Sequence, residues 1–190
     1  VGFFPFDALS EEAEQVPQSL VRDEMSFLTE NCEMEAGIEP AKFERSVRVS
    51  LALGSLGEKH DLDAIAFNDV DPNLHELVGL RPGFYPRWYH DHGRVIVPEG
   101  DISLAALAFA LSNLTGQRFM YIEPFFSDFD TNTFVAGHAG ALDFQITESH
   151  AVHIAPDLEY SNSAYRYAGA PFASFTFPLG TATVVHMGQR

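Results

Sequence analysis

Two carboxylates and one imidazole, Glu99, Glu123 and His138, each stand where an element expected from the sequence gives way to a turn, within about 40 residues of chain. Imidazole is the commonest nitrogen ligand for borderline divalent metals, and carboxylate oxygens complete such sets. Pro98-Glu99-Gly100-Asp101 follows an expected strand, Val95 to Val97, and opens an expected helix, Ile102 to Leu114. In open α/β sheets, ligands gather at the carboxyl ends of strands, where such a junction aims its side chains. Glu123 closes a second expected strand, Arg118 to Ile122, just before Pro124. It lies 24 residues beyond Glu99, room for a helix of about 20 Å and a returning strand. His138 follows the apolar run Thr133 to Ala136 and is bracketed by Gly137, Ala139 and Gly140, which leave its ring open to approach. Each has an ordinary alternative: Glu99 as a charged first-turn residue, Glu123 as a solvated turn residue, His138 as a hydrogen-bonded core histidine.

Other constellations carry less. Asp128-Phe129-Asp130-Thr131-Asn132 imitates the start of a calcium loop, but Thr133 stands where that loop needs Gly, and Ala139 where it needs Glu. His90-Asp91-His92 is a loop pair whose ordinary reading is two solvated rings, and His150, His153 and His186 have no ligand spacing. Trp88, Tyr89, Phe125 and Phe126 are expected in the core, with the lining of a sugar pocket as the alternative. Neither a phosphate-binding Gly-rich loop nor a serine nucleophile elbow occurs.

The elements that must position these residues begin with Val1 to Phe6, which reads as a buried strand. Ser10 then suits an N-cap, with Glu11 and Glu12 in the first turn and Leu20, Met25 and Leu28 on one face, and Pro17 either starts the regular helix or kinks it. Pro40 opens a second helix that repeats Phe43, Val47 and Leu51. Leu62 to Phe67 and Val95 to Val97 read as buried strands, with an irregular stretch, Arg81 to His92, between them. Asp101 and Gly116 cap and stop the helix after Glu99. Past Gln117 the texture changes to short strands: Arg118 to Ile122, Thr133 to Ala136, Val152 to Ile154, Ala173 to Phe177 and Thr181 to Val185. The expected fold is therefore α/β. Residues 1–117 would form a parallel sheet with flanking helices, and residues 118–190 a mainly antiparallel β-rich domain, truncated at its end.

Composition narrows the functions. Of 190 residues, 46% are apolar and 20% charged, the profile of a globular chain rather than a disordered one. A net charge of −16 would repel a phosphate backbone, which argues against nucleic acid as a partner. The single cysteine, Cys32, excludes an intramolecular disulfide framework and fits a reducing, cytoplasmic setting. The sequence lacks an apolar run of membrane-spanning length, so no membrane partner is expected. Val1 in place of Met reads as a fragment.

Arg81-Pro82, Pro98-Glu99-Gly100-Asp101-Ile102, Leu114-Thr115-Gly116-Gln117 and Asn132 to His138, in that order, resemble the L-fucose and L-arabinose isomerase superfamily. The likeness runs across roughly residues 60 to 140, and Gly169-Ala170-Pro171 resembles the start of that family's C-terminal domain. It implies ketol isomerisation of an open-chain aldose and ketose through an enediol, assisted by Mn2+ or another divalent cation. Glu99 and Glu123 would be catalytic carboxylates and metal ligands, and His138 a metal ligand. It also implies a homo-oligomer whose neighbouring subunits complete the pocket, a further ligand from downstream sequence and an additional N-terminal domain. The rival expectation is a non-catalytic sugar-binding or regulatory protein on the same scaffold.

Overall fold

Pro5, Pro17 and Pro40 each stand at the mouth of a helix, where a residue with fixed φ and no N–H is at little disadvantage. The computed structural model describes residues 1–138, 143, 146–147, 151–157 and 165–188. Helix α1 spans Phe6–Gln15, α2 Gln18–Asn31 and α3 Pro40–Lys59. The last is the hub: α1 and α2 pack along it and bury Leu9, Ala13, Val21 and Leu28 against Phe43, Val47 and Leu53. Full burial of an apolar side chain of this size stabilises by about 1.5–3 kcal/mol. The expected period of four in α3 is realised at Phe43 and Val47, while Leu51 is half-buried at the core's edge.

Two strand pairs and one three-stranded sheet complete the framework. Strand β2 (Ala64–Ala66) runs parallel to β3 (Val95–Val97), with Ala64 opposite Val95 and Ala66 opposite Val97. Strand β4 (Glu123–Asp128) pairs antiparallel with β5 (Thr133–Gly137). In the third sheet β6 (His153–Pro156) lies between β1 (Glu33–Met34), parallel to it, and β7 (Pro171–Ser174), antiparallel. Helices α4 (Pro72–Val78) and α5 (Arg87–Asp91) occupy the connection between β2 and β3, and α6 (Ile102–Thr115) packs on both those strands. The protein is thus mixed α/β, with parallel pairing confined to β2–β3 and β1–β6 among the described residues. The pairing of β1 with β6, and the burial of Val152, Ile154 and Ala173 in one core with α1 to α3, both cross residue 117.

Several local expectations are corrected. Residues 1–5 form no strand and expose Val1, Phe3 and Phe4, because Pro5 interrupts any ladder and Phe6 already begins α1. Ser10 lies inside α1, where its hydroxyl donates to the Leu77 carbonyl instead of capping. Of the two roles open to Pro17, starting a helix and kinking one, the structure shows the first, with Pro17 at the mouth of α2. Residues 118–122 are irregular, since Arg118 is drawn to Asp91 and Asp143 and Tyr121 to Glu99, so Glu123 begins a strand instead of ending one. Residues 181–188 form no regular element and are exposed, without a sheet partner among the described residues. No helix among the described residues is long and apolar enough to cross a membrane.

Candidate metal centre

The carboxyl ends of β2 and β3 lie side by side. Phe67 donates its N–H to the Val97 carbonyl at 2.8 Å, and Gly100 donates back to the Phe67 carbonyl at 3.1 Å. The chain then reverses into α6 through two left-handed residues, Glu99 at φ 59° and Gly100 at φ 70°. Glycine adopts this geometry freely, but a glutamate in it is strained by about 1–2 kcal/mol. One compensation is on hand: the Glu99 N–H donates to Asp69 Oδ1 at 2.9 Å. Asp101 then caps α6 by accepting the Leu104 N–H at 2.8 Å, and Gly116 at φ 66° ends the helix, as its sequence predicts.

The other two residues come from one hairpin. Asp128 Oδ1 accepts the N–H groups of Asp130 and Thr131, and Asn132 turns at φ 54°, so the calcium-like string serves as the β4–β5 turn. That turn sets Glu123 opposite Gly137, with His138 next along the strand. His138 Nδ1 lies 3.7 Å from Glu123 Oε2. Local pairing thus accounts for two ligands, and the packing of the hairpin beside the β3–α6 junction brings the third.

One ligand atom each from Glu99, Glu123 and His138 lies within 4.8 Å of the others. Ligands bound to one ion at about 2.1 Å lie about 3 Å apart when adjacent and about 4.2 Å apart when opposite, so side-chain closure of at most about 2 Å would bring the three into range. The residues differ in environment. The Glu123 side chain is 45% exposed, whereas that of His138 is fully buried. Neither ring nitrogen of His138 has a hydrogen-bond partner among the described residues, an arrangement rare for a buried imidazole. Tyr121 stacks edge-on against that ring, centroids 5.0 Å apart, and donates its hydroxyl to Glu99 Oε2 at 3.0 Å. Partial burial, the hydrogen bond to Glu99 and the charges of Glu99, Glu123 and Asp101 push the Tyr121 hydroxyl up to about 12, so it remains a proton donor at neutral pH. Two carboxylates and an imidazole fit Mn2+ or a similar divalent cation.

Behind these three lies a layer that sequence reasoning missed. Asp69 is fully buried; desolvation raises its carboxyl above the ordinary value, opposed by the Glu99 N–H and the Arg81 guanidinium. Tyr85 is 4% exposed, and burial, with the neighbouring carboxylates of Asp69 and Glu99, raises its hydroxyl well above 10. His75 Nε2 lies 2.6 Å from the Asp69 carbonyl oxygen and Nδ1 2.6 Å from the Tyr165 hydroxyl. A carbonyl only accepts, so Nε2 carries the proton and Nδ1 accepts from Tyr165. Asp69 had a detectable signal, its place three residues past the carboxyl end of β2, as Glu99 lies two past that of the parallel β3. Tyr85 stands in an irregular stretch and had none.

The remaining candidates lie elsewhere. His90 is buried beside Asp143, Nδ1 to Oδ2 3.6 Å, while His92 is exposed and its Nδ1 bonds the Trp88 carbonyl. They do not form a pair at the centre. His186 sits in the exposed terminal segment, and His153 lies 3.5 Å from Glu33. His150, Ala139 and Gly140 lie outside the described residues. Tyr89 is a core residue donating to the Leu62 carbonyl, and Trp88 packs against the same core, whereas Phe125 and Phe126 are exposed on the hairpin, contrary to a core placement. No model of a known protein family matches the chain, and no curated protein does.

Proposed function

We propose that the chain is a metal-dependent aldose–ketose isomerase, or a large part of one, with Glu99, Glu123 and His138 holding Mn2+ or another divalent cation. The observation that carries the reading is the convergence of three ligand types within 4.8 Å around an imidazole that is buried without a hydrogen-bond partner among the described residues. A bound divalent cation would stabilise the negative charge that gathers on a sugar's first two oxygens as a carbon-bound proton leaves. Glu99 and Glu123 stand at that centre from opposite elements, a pair suited to removing the proton and returning it one carbon away. Tyr121, held to Glu99, keeps one carboxylate oxygen oriented. The resemblance to L-fucose and L-arabinose isomerases rests on the same residues and adds the expectation of a cytoplasmic homo-oligomer.

The test is aldose–ketose interconversion by the Mn2+-loaded protein over a panel of pentoses and hexoses, with Mn2+ binding measured in parallel. Loss of turnover by about 1,000-fold or more in Glu99→Gln and Glu123→Gln is expected, in line with removal of an acid or base together with metal contacts. Sugar binding with no interconversion would assign a non-catalytic sugar-binding protein. Absence of Mn2+ binding would end the metal reading.

A further inference from the structure

A string of hydrogen bonds leads from Glu99 away from the candidate centre and ends in a distant part of the chain. The Glu99 N–H donates to Asp69 Oδ1 at 2.9 Å. Asp69 has no exposed surface, and its backbone is held on both sides. Its N–H donates to the Phe67 carbonyl at 3.0 Å, and its own carbonyl oxygen lies 2.6 Å from His75 Nε2. His75 Nδ1 lies 2.6 Å from the Tyr165 hydroxyl, and the two rings meet edge-on with centroids 5.8 Å apart. At its inner end the string continues through the Glu99 carboxylate to Tyr121 and the His138 ring.

His75 is 1% exposed and has a partner at both ring nitrogens, whereas His90 and His138 each keep a buried ring nitrogen without one among the described residues. A ring bonded at both ends has one orientation. The Tyr165 hydroxyl, by donating to Nδ1, also fixes the proton on Nε2, where the Asp69 carbonyl needs it. His75 sits in α4, and α4 is fastened to the helical layer. Arg45 of α3 donates its Nε–H to the Val78 carbonyl at 2.8 Å, and the Ser10 hydroxyl of α1 donates to the Leu77 carbonyl at 3.2 Å. The string thus ties the helices to a glutamate whose left-handed backbone is not its own preference. A contiguous run of such bonds is a physical means by which residues remote from a ligand bias its site.

We infer that His75 and Tyr165 are positioning residues of the metal centre, acting through Asp69 on the backbone of Glu99. The inference rests on the metal-centre reading and extends it to side chains two and three hydrogen bonds removed from Glu99.

The test measures Mn2+ affinity of the full chain by electron paramagnetic resonance, with thermal unfolding followed in parallel. Tyr165→Phe keeps the ring and deletes the hydroxyl, and it is expected to weaken Mn2+ binding by about fivefold, less than the loss for a direct partner of a ligand. His75→Phe should weaken it by about tenfold, while His75→Gln, whose amide can donate to the Asp69 carbonyl in place of Nε2, should stay within about threefold of the parent. Glu99→Gly keeps the backbone N–H but removes the ligand, so adding Tyr165→Phe to it should change Mn2+ affinity by less than about twofold. Parent-like affinity in Tyr165→Phe overturns the inference and leaves the metal reading standing. So does a Tyr165→Phe loss that persists undiminished in the Glu99→Gly background, because the hydroxyl would then support the fold as a whole. Tyr165→Phe carries the test by itself should His75→Phe fail to fold. A parent protein that binds no Mn2+ defeats the metal reading and the inference with it.

Discussion

Asp69 and Glu99 are joined by a single hydrogen bond, from the Glu99 N–H to Asp69 Oδ1 at 2.9 Å, that ties together the carboxyl ends of two parallel strands. It holds a glutamate in the left-handed region at φ 59°, directed toward Glu123 and His138. Backbone strain is kept at this position while a glycine stands immediately after it, so the local geometry favours the side chain over relaxation.

Replacing that glutamate by glycine separates strain from ligation. Glu99→Gly is expected to leave thermal stability unchanged or raise it by up to about 1 kcal/mol, since relief of the left-handed strain offsets glycine's extra freedom in the unfolded chain. Mn2+ affinity should fall by about 100-fold or more, because a ligand is lost and not merely its support. A clear drop in melting temperature would show that the Glu99 side chain holds the fold together.

Tyr121 touches the centre through Glu99 and the His138 ring. Tyr121→Phe keeps the edge-on stack and deletes the donated proton, so Mn2+ binding should weaken by about tenfold, the usual effect of removing a partner that orients a ligand. Calorimetric titration with Mn2+ reads this directly, and an unchanged affinity would mean that Glu99 is oriented by its backbone alone.

His90 supplies a pH signature away from the centre. Burial lowers its imidazole below the ordinary value of 6.5, outweighing the opposing Asp143 carboxylate. The folded protein therefore resists protonation that the unfolded chain accepts. The neutral ring's contribution is intact above about 6.5 and is lost as pH falls from there toward the lower folded value. Urea unfolding between pH 7.5 and pH 5 should show a shallower loss of stability in His90→Gln than in the parent. Identical slopes would remove His90 as a source of the acid sensitivity.

A packing prediction concerns the helix hub. A Cβ on Gly57 would lie 2.6 Å from the Tyr89 hydroxyl oxygen and 2.7 Å from its ring Cζ. Tyr89 has no exposed surface and is held by its bond to the Leu62 carbonyl, so it cannot give way cheaply. Overpacking of about 1–3 kcal/mol then outweighs the ~1 kcal/mol that alanine gains over glycine in a helix. Gly57→Ala should lower stability by about 1–2 kcal/mol by chemical denaturation, despite its better helix propensity.

What the sequence determined by itself is local. Pro40 and the spacing of Phe43 and Val47 mark α3, Asp101 and Gly116 bound α6, and the run Val95 to Val97 is β3 as written. The junction that carries Glu99 was legible for the same reason, since caps, turns and apolar periods act over a few residues. So was the strand leading to His138. Tertiary structure decided the rest. An apolar N-terminus reads as a strand until no neighbour among the described residues offers it a ladder, and a β-branched run such as Thr181 to Val185 likewise finds no partner among them. Glu123 and His138 meet through hairpin register, but their approach to Glu99 depends on a parallel pair, a helix and a hairpin closing over one another. The burial of Asp69 and of Tyr85 is likewise a property of the assembled surroundings, not of any stretch of chain.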